Sequence, residues 1–529
     1  MTTYLDAVLG NPQYPVFCAI SLLTLFALKY SFFNNARKYP VLNPKKPFEW
    51  SDRRVTRDFI ANSKSLLTKA RALYKDQPYW AYTEWGENLV IPPQFLDSLK
   101  GNRQLDFQFP ARDDSHEYVP GFEPFGGNHA MSTVVTKYIT KTLNKLTGPL
   151  SEEASLAMQQ VLTDSTGNVS LSLTERRSTT NGEIVSEWHA IQPQPDLMRI
   201  VSRVSSRIFM GEELCRDEEW VRVSGDYTLN SFATSNLLRA YPRWARSFVH
   251  WFIPECRELR RKLNDARRSL QPHLDRRNAI KREAAAQGKP CPFDDSIEWF
   301  EKEYPKHDPA TEQIAISLVA YHTTSDLLME TLFNLCQHPE LLKPLREEIV
   351  NVLSEEGLKK TSLNNLKLMD SVIKESQRLR PILLGSFRRL ALADITLPNG
   401  DVIKKGTRLV CDTTHMWDSE YYKDAATFDG YRYLKMRQTP GQDKHAHLVS
   451  TSSDHLAFGH GLHACPGRFF AANEIKIVLC HLLLKYDLKL EDGVVPTPTT
   501  FGFKLMGDGK AKILVRRREA ELDMESVET

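Results

Sequence analysis

The sequence has no strong excess of charge of either sign. Its 69 Lys and Arg residues almost balance 66 Asp and Glu residues, which leaves a formal net charge of +3 over 529 residues. Proteins that bind nucleic acid usually carry a concentrated basic surface, so the composition gives no reason to expect a nucleic-acid partner. A hydrophobic fraction of 41% also excludes a disordered or fibrous chain.

The sequence also lacks the cysteine spacing of a disulfide scaffold. Its eight cysteines are far apart and form no Cys-x-x-Cys pair, so we interpret them as reduced thiols in a protein that faces the cytosol. No internal repeat or long Ser/Gly linker follows residue 48. We therefore predict one large domain over residues 49–516 and a polar tail, residues 517–529, that frays from Glu519 onward.

Residues 1–13 contain no long hydrophobic run. Residues 14–33 form one, and Lys29 is its one charged residue. This length and apolarity predict a single transmembrane anchor, with an apolar surface helix as the alternative. Residues 1–13 would be a short non-cytosolic end. The basic, Pro-rich residues 34–48 would form a stiff cytosolic linker, because positive charge favours the cytosolic side.

Helical periodicity dominates the rest of the chain. It predicts helices over residues 128–162, 195–285, 311–337 and 340–380, whereas residues 395–414 read as two short strands around an Asn-Gly turn. The fold class is thus mainly α with small β-sheets.

The apolar helix predicted over residues 311–337 is interrupted at its middle by His322, Thr323 and Thr324. Buried polar side chains need hydrogen-bond partners. One interpretation is that the threonines bond back to the preceding turn, and the other is a polar notch that faces a cofactor.

A second polar pattern joins Glu375 and Arg378, which are three residues apart on one helical face. Such a pair is usually a solvated surface contact. Arg432 follows about fifty residues later between aromatic residues that could bury its guanidinium, so a three-member network is a further possibility.

The segment "FGHGLHACPG", residues 458–467, raises the question of what Cys465 binds. Zinc could use His460, His463 and Cys465, but no second cysteine completes a structural site. A nucleophile activated by His463 would have an unfavourable i, i+2 geometry, and an inert thiol is always an alternative.

Haem iron is the remaining candidate. Gly459 and Gly461 allow backbone to approach a flat macrocycle, and a helical pattern begins directly after Pro466. A thiolate at Cys465 would then lie at a helix N-terminus, where the helix dipole stabilises a negative charge.

Taken in order, these motifs resemble the cytochrome P450 family. The resemblance rests on the Phe-x-x-Gly-x-x-x-Cys-x-Gly signature, the Glu-x-x-Arg pair, its downstream arginine and the threonine of the long helix, met here by Phe458, Gly461, Cys465, Gly467, Glu375, Arg378, Arg432 and Thr323. It implies a cytochrome P450 fold behind the anchor and a haem, iron protoporphyrin IX, with Cys465 as its axial ligand.

The resemblance also implies roles for the other residues. Thr323 would relay protons during oxygen activation, and the Glu375, Arg378 and Arg432 network would hold the fold around the haem. His463 stands where an arginine commonly binds a haem propionate, and Arg389, rather than Arg388, would bind a propionate as well. His322 replaces an acidic residue that commonly precedes the threonine, and it too could relay protons.

One family pattern is missing. The Trp-x-x-x-Arg pair usual in the helix that covers the haem has no counterpart, and His129, Lys137 and Lys141 are weak substitutes.

Partners follow from the same resemblance. They are NADPH-cytochrome P450 reductase, which a basic loop carrying Lys435, Arg437 and Lys444 would bind, the endoplasmic reticulum membrane, and a bulky hydrophobic substrate. Candidate pocket segments are residues 118–127, 383–387 and 502–506. The motif variants look most like fungal enzymes that modify terpenoids, indole alkaloids and polyketides. A haem-binding sensor or carrier without turnover is the alternative function.

Overall fold

A computed structural model defines the fold for the greater part of the chain. It describes residues 20–21, 24, 37–126, 129–163, 178–180, 183–185, 188–304, 306 and 308–528. Almost all of the predicted anchor, residues 14–33, lies outside this set. Among the described residues, none of the helices has the length and apolarity to cross a bilayer.

Helices make up most of the described chain, in agreement with the predicted fold class. In chain order they are α1 Arg53–Tyr74, α2 Leu96–Leu99, α3 Gln108–Asp114, α4 His129–Val134, α5 Thr140–Met158, α6 Pro193–Cys215, α7 Glu218–Arg239, α8 Arg243–Val249, α9 Pro254–Ala286, α10 Ser296–Glu303, α11 Pro309–Gln337, α12 Leu342–Glu356, α13 Lys360–Asn365, α14 Lys367–Leu379, α15 Arg432–Gln438, α16 Asp443–Ala446 and α17 Arg468–Lys485.

The strands are short. They are β1 Tyr79–Thr83, β2 Gly86–Val90, β3 Leu105–Asp106, β4 Ser178–Thr180, β5 Glu183–Val185, β6 His189–Ile191, β7 Gly385–Ala391, β8 Ile395–Thr396, β9 Val402–Ile403, β10 Arg408–Asp412, β11 Tyr486–Leu490, β12 Thr499–Phe501, β13 Lys504–Met506 and β14 Ile513–Arg517. The largest sheet has the order β1-β2-β10-β7-β3, in which only β2 and β10 run parallel. A second sheet has the order β11-β14-β6.

Two helices cross the main hydrophobic core and bring the predicted motifs together. Helix α11 packs mainly on α6, and α17, which starts three residues after Cys465, packs on α5. Both are apolar on most sides, as expected of helices that the core surrounds. Helix α14, which carries Glu375 and Arg378, packs between α11 and α15.

The helix predicted over residues 195–285 is divided into four, α6 to α9. The side chain of Asp217 accepts a hydrogen bond from the backbone N–H of Trp220 and so caps α7. Pro254 begins α9, a position that proline favours. Periodicity alone missed these breaks because the apolar pattern continues across them.

Described residues in the segments before and after the predicted domain, 34–48 and 517–529, are bound to the rest of the fold. In the predicted linker, the backbone of Pro40 and Leu42 forms two hydrogen bonds of 2.8 Å with Trp80 in β1. The expectation that the C-terminal tail frays is wrong. Met524 is 2% exposed, and the N–H of Leu358 donates to the carbonyl of Glu528 at 2.6 Å. The burial of Met524 holds this otherwise polar segment in place.

Helix α17 carries a buried acid that the sequence did not reveal. Glu474 is 0% exposed, its Oε1 accepts a hydrogen bond from Ser205 Oγ at 2.5 Å, and its Oε2 has no hydrogen-bond partner among the described residues. Burial raises the pKa of Glu474 to about 8. The folded protein therefore holds a proton that the unfolded chain releases at a much lower pH.

This difference makes the stability depend on pH. Between the unfolded pKa, about 4.3, and the folded pKa the wild type loses stability as the pH rises. Glu474→Gln cannot ionise, so its free energy of unfolding lacks this dependence on pH. We expect the free energy of unfolding of the variant minus that of the wild type to increase by roughly 2–5 kcal/mol between about pH 5 and about pH 9. Denaturant unfolding at both pH values measures it, with the exposed Glu491→Gln as the control. An advantage independent of pH would contradict the burial of an ionisable group there.

Candidate active site

Cys465 lies in a tight loop at the start of α17. Its backbone N–H donates to the carbonyl of Phe458 at 2.8 Å, and a short 3-10 turn, Gly461–His463, is closed by the N–H of Ala464 donating to the Gly461 carbonyl at 3.0 Å. These bonds fold the loop back on itself. The position of the sulfur is thus fixed by backbone on both sides.

The Cys465 sulfur is surrounded by protein, although part of the surface of the residue is exposed. Burial raises the pKa of the thiol, whereas the backbone N–H groups of Gly467 and Arg468 point at the sulfur and lower it. Those N–H groups are the unpaired donors at the first turn of α17. These N–H groups would stabilise a thiolate at Cys465, against the larger opposing effect of burial.

The structure shows why position 461 is a glycine, which the sequence did not reveal. Its φ is +75°, and an added Cβ would lie 2.4 Å from the carbonyl oxygen of Lys100. The same oxygen accepts a hydrogen bond from the N–H of Leu462 at 2.9 Å. A side chain at position 461 would therefore collide with the backbone of Lys100. Gly459, with φ +69°, meets nothing nearer than 3.6 Å.

The histidines of the loop do not converge on Cys465. His460 is within hydrogen-bond distance of Asp97 Oδ1, at 3.1 Å, and of Thr451 Oγ1, at 3.3 Å. The ring of His463 lies beside Phe107, with 5.9 Å between centroids. No group of three metal-binding side chains occurs among the residues that the structure describes, which leaves the zinc hypothesis without support.

Helix α11 presents a narrow open stripe. Val319, 53% exposed, and Thr323 are the exposed residues between Pro309 and Cys336, a range that is described throughout. Thr323 Oγ1 donates to the Val319 carbonyl at 2.7 Å, so the back-bonding interpretation holds and the side chain is accessible as well. The stripe is accessible although the rest of the helix lies inside the core.

His322 points in another direction. Its ring makes an edge-on contact with Phe232 of α7 at 5.3 Å, and its Nε2 has no hydrogen-bond partner among the described residues. Burial, followed by the charge of Lys504, lowers the pKa of His322, so the ring is neutral at neutral pH. The structure therefore does not bring His322 and Thr323 onto one face.

Arg389 of β7 is a buried cation without an anion. It is 3% exposed, its Nη1 donates to the Arg388 carbonyl at 2.7 Å, and no carboxylate among the described residues pairs with it. Burial lowers its pKa to about 10, against a weaker opposing effect of Asp106. Arg388, in contrast, is paired with Asp114. Of the two candidates, only Arg389 has a free positive charge to offer.

The structure brings Glu375, Arg378 and Arg432 together. Both residues of the first pair are 0% exposed, and two bonds of 2.8 Å join the Arg378 guanidinium to the Glu375 carboxylate. Arg432 Nε donates to the same carboxylate at 3.0 Å. Arg378 also donates to the carbonyls of Met416 and Ala425 at 2.6 and 2.8 Å, which ties α14 to the segment that leads to the cysteine loop.

Lys374, beside Glu375, was missed by sequence reasoning. It is 1% exposed, and its Nζ donates to the carbonyls of His445, His447 and Ser450 at 2.9, 2.7 and 3.1 Å. Its position one residue before the Glu-x-x-Arg pair was the available signal. Lys374 holds the loop between α16 and Cys465 against α14.

The helix that lies over the cysteine loop contains a π turn, Val135–Ile139, between α4 and α5. An added Cβ at Gly467 would lie 3.9 Å from Val135, so this turn borders the site. Lys137 points away and pairs with Glu303 at 2.5 Å, and Lys141 is exposed. The side chain of His129 lies outside the described set. The structure thus identifies neither lysine as a substitute for the missing arginine.

The basic loop needs a correction. Arg437 is buried and pairs with Asp370 of α14, so its charge stabilises the core and is not offered to a partner. Lys444 is exposed, and Lys435 is exposed while paired with Asp429 at 3.0 Å.

Comparison with known proteins places this arrangement in a family. The cytochrome P450 family model matches residues 123–515. The chain is 61% identical to cytochrome P450 monooxygenase eqxH of Fusarium heterosporum, with 100% of both chains covered. It is 38% identical to cytochrome P450 monooxygenase hepE of Aspergillus oryzae, over 91% of this chain and 86% of that protein. The chain belongs to the cytochrome P450 family, and it is a cytochrome P450 monooxygenase.

Membership implies a haem with an axial thiolate, and the described residues fit one. A single sulfur lies at a helix N-terminus, Arg389 is a buried cation without an anion, and α11 carries an accessible stripe at Val319 and Thr323. One axial donor, an anion-binding cation and room for a flat ring are what this cofactor requires.

The buried network predicts a large stability effect. Glu375→Ala leaves the Arg378 charge buried and unpaired, which costs about 3–5 kcal/mol. We expect loss of soluble, haem-containing protein, or a strongly lowered melting temperature. Glu258→Ala is the matched control, because Glu258 and Arg261 form the same i, i+3 pair at 2.5 Å on the exposed face of α9. Equal effects of the two variants would contradict a special role for the buried network.

Proposed function

We propose that this protein is a membrane-attached monooxygenase that oxidises a bulky hydrophobic small molecule with electrons from NADPH, in a fungal secondary-metabolite pathway of the terpenoid, indole alkaloid or polyketide kind. The observation that carries the proposal is the Cys465 sulfur, held at the first turn of α17 by backbone N–H groups. Full-length similarity to fungal cytochrome P450 monooxygenases supports it.

The haem, when bound, supplies the chemistry that activates dioxygen and transfers one oxygen atom to a carbon of the substrate. Cys465 would hold the iron through its thiolate sulfur, and Phe458, Gly461 and Gly467 would shape the loop around it. Arg389 and, more weakly, His463 would donate hydrogen bonds to the propionates, because Arg389 has a charge and no carboxylate partner.

Thr323 is our candidate for proton transfer. Its hydroxyl is accessible on the open stripe of α11 and can turn from the Val319 carbonyl to donate toward the reaction site. His322 lies next to it in the chain but faces Phe232, and its neutral ring would relay a proton only by accepting another at its second nitrogen. Glu375, Arg378 and Arg432 act at a distance from the chemistry by fixing the fold.

Electrons would come from NADPH-cytochrome P450 reductase, a flavoprotein with an acidic docking surface. We propose that the exposed Lys444 contributes to this surface, together with the exposed Lys435, which also pairs with Asp429, and we withdraw Arg437 from it. Charge complementarity of this kind mainly speeds encounter.

Attachment to the endoplasmic reticulum membrane is proposed from residues 14–33 and supported by a second apolar surface. Trp244, Phe248, Trp251 and Phe252, in and after α8, are between 54% and 81% exposed. Aromatic side chains of this kind favour the boundary between water and lipid.

The proton-transfer assignment has a direct test with purified protein, reductase and NADPH. In Thr323→Ala we expect NADPH oxidation to continue while a several-fold larger share of its electrons appears as hydrogen peroxide, because proton delivery is impaired. Thr324→Ala is the control, since Thr324 is buried one position away. An unchanged peroxide share in Thr323→Ala would remove Thr323 from the mechanism, and no reductase-dependent NADPH oxidation by the wild type would overturn the proposed function.

The membrane proposal is tested separately. Membranes that contain the full chain are washed with alkaline carbonate, which removes peripheral proteins. We expect the protein to stay in the pellet and a chain with residues 14–33 replaced by a Gly/Ser linker to be released, because residues 14–33 are long and apolar enough to span the bilayer. Release of the unaltered chain would contradict a spanning anchor.

A further inference from the structure

A lysine stands in the middle of the proposed substrate-binding region. Lys504 begins β13, and its backbone pairs with Leu383 in an isolated bridge. Its Nζ lies over the ring of Phe232, 4.8 Å from the centroid. Two of the segments predicted to line the pocket, residues 383–387 and 502–506, therefore meet at this lysine.

Aromatic contacts connect Lys504 to the site on α11. Phe232 also contacts Phe125, from the third predicted segment, at 5.4 Å, and His322 at 5.3 Å. His322 directly precedes Thr323 in the chain. Side chains from four separate parts of the sequence thus meet in one region beside α11.

The Lys504 ammonium has no anionic partner in the described part of the chain. The side chain is partly buried, and burial, reinforced by the charge of Arg239, lowers its pKa. Glu84 opposes this effect, but its carboxylate accepts the N–H of Phe503 at 2.7 Å, and burial raises its own pKa. Removing an ammonium from water without pairing it costs free energy.

Another partly buried lysine shows what pairing looks like in this protein. The Nζ of Lys281 lies 2.9 Å from Glu298 and 2.7 Å from Glu301. Lys504 instead has an aromatic ring on one side, which holds the ammonium in place but does not neutralise it. The nearby Nε2 of His322 is also buried without a partner.

We propose that the pocket selects substrates that carry a carboxylate, and that Lys504 Nζ binds this group with His322 Nε2 as a second polar contact. The inference rests on the proposed function, because the apolar remainder of the substrate must extend toward Thr323 and the haem. An anion would supply the missing charge partner of Lys504, and a charge-assisted hydrogen bond is strongest in such a dry setting.

The test uses probes that bind the haem at one end. In a series of ω-imidazolylalkanoic acids of increasing chain length, the imidazole coordinates the iron and shifts the Soret band, and the carboxylate samples the pocket at increasing distance. The methyl ester of each acid is the uncharged counterpart. Spectral titration of the full-length haem protein gives the two dissociation constants at every length.

At the best chain length we expect the acid to bind at least about tenfold more tightly than its ester. Lys504→Met should remove this preference while keeping the volume of the side chain, and Lys504→Arg should keep the preference. The exposed Lys510→Met, six residues along the chain, should change nothing. Every variant is first shown to give the thiolate-haem spectrum.

Two results would overturn the inference: equal binding of acid and ester by the wild type at every length, or an acid preference that persists in Lys504→Met. Either would leave the monooxygenase assignment intact as long as the imidazole end still shifts the Soret band. Absence of any shift from every probe would instead show that no haem is accessible, and both proposals would then fall together.

Discussion

The structure depends on holding one sulfur atom, surrounded by protein, in a fixed position where it can carry negative charge. Burial alone opposes this, because it raises the pKa of the Cys465 thiol. Two backbone N–H groups at the first turn of α17 oppose this effect and lower the pKa. The loop before α17 is closed by the hydrogen bond from the N–H of Cys465 to the carbonyl of Phe458. A metal that shares the charge completes the balance.

Several distant interactions serve this constraint. The buried Glu375 and Arg378 pair fastens the segment around Met416 and Ala425 to α14, and Lys374 holds the three carbonyls that precede the cysteine loop. The backbone of Lys100 closes against Gly461 from the other side. Helix α14 thus acts as the frame from which the ligand loop is positioned, while α11 supplies the accessible stripe at Val319 and Thr323.

Much of this could be predicted from the sequence because the motifs are local. The cysteine loop, the long apolar helix and the Glu375 and Arg378 pair are each defined by residues a few positions apart. Spacing alone is not sufficient, since Glu258 and Arg261 have the same spacing on an exposed helix face. Burial separates the two pairs, and burial depends on the whole fold. The same reason explains why Arg437 was assigned to a docking surface although it pairs with Asp370. The proposed role of Lys504 could not be predicted from the sequence, because it depends on contacts that involve Phe232 and His322, which are remote in the chain.

The central claim is that Cys465 binds haem iron as a thiolate. The most direct measurement is the absorption spectrum of the purified, reduced protein exposed to carbon monoxide. The account predicts a Soret band shifted strongly to the red, because a thiolate ligand from Cys465 would donate electron density to the iron. A band at the position typical of histidine-ligated or neutral-thiol haem, or a colourless protein, would contradict it.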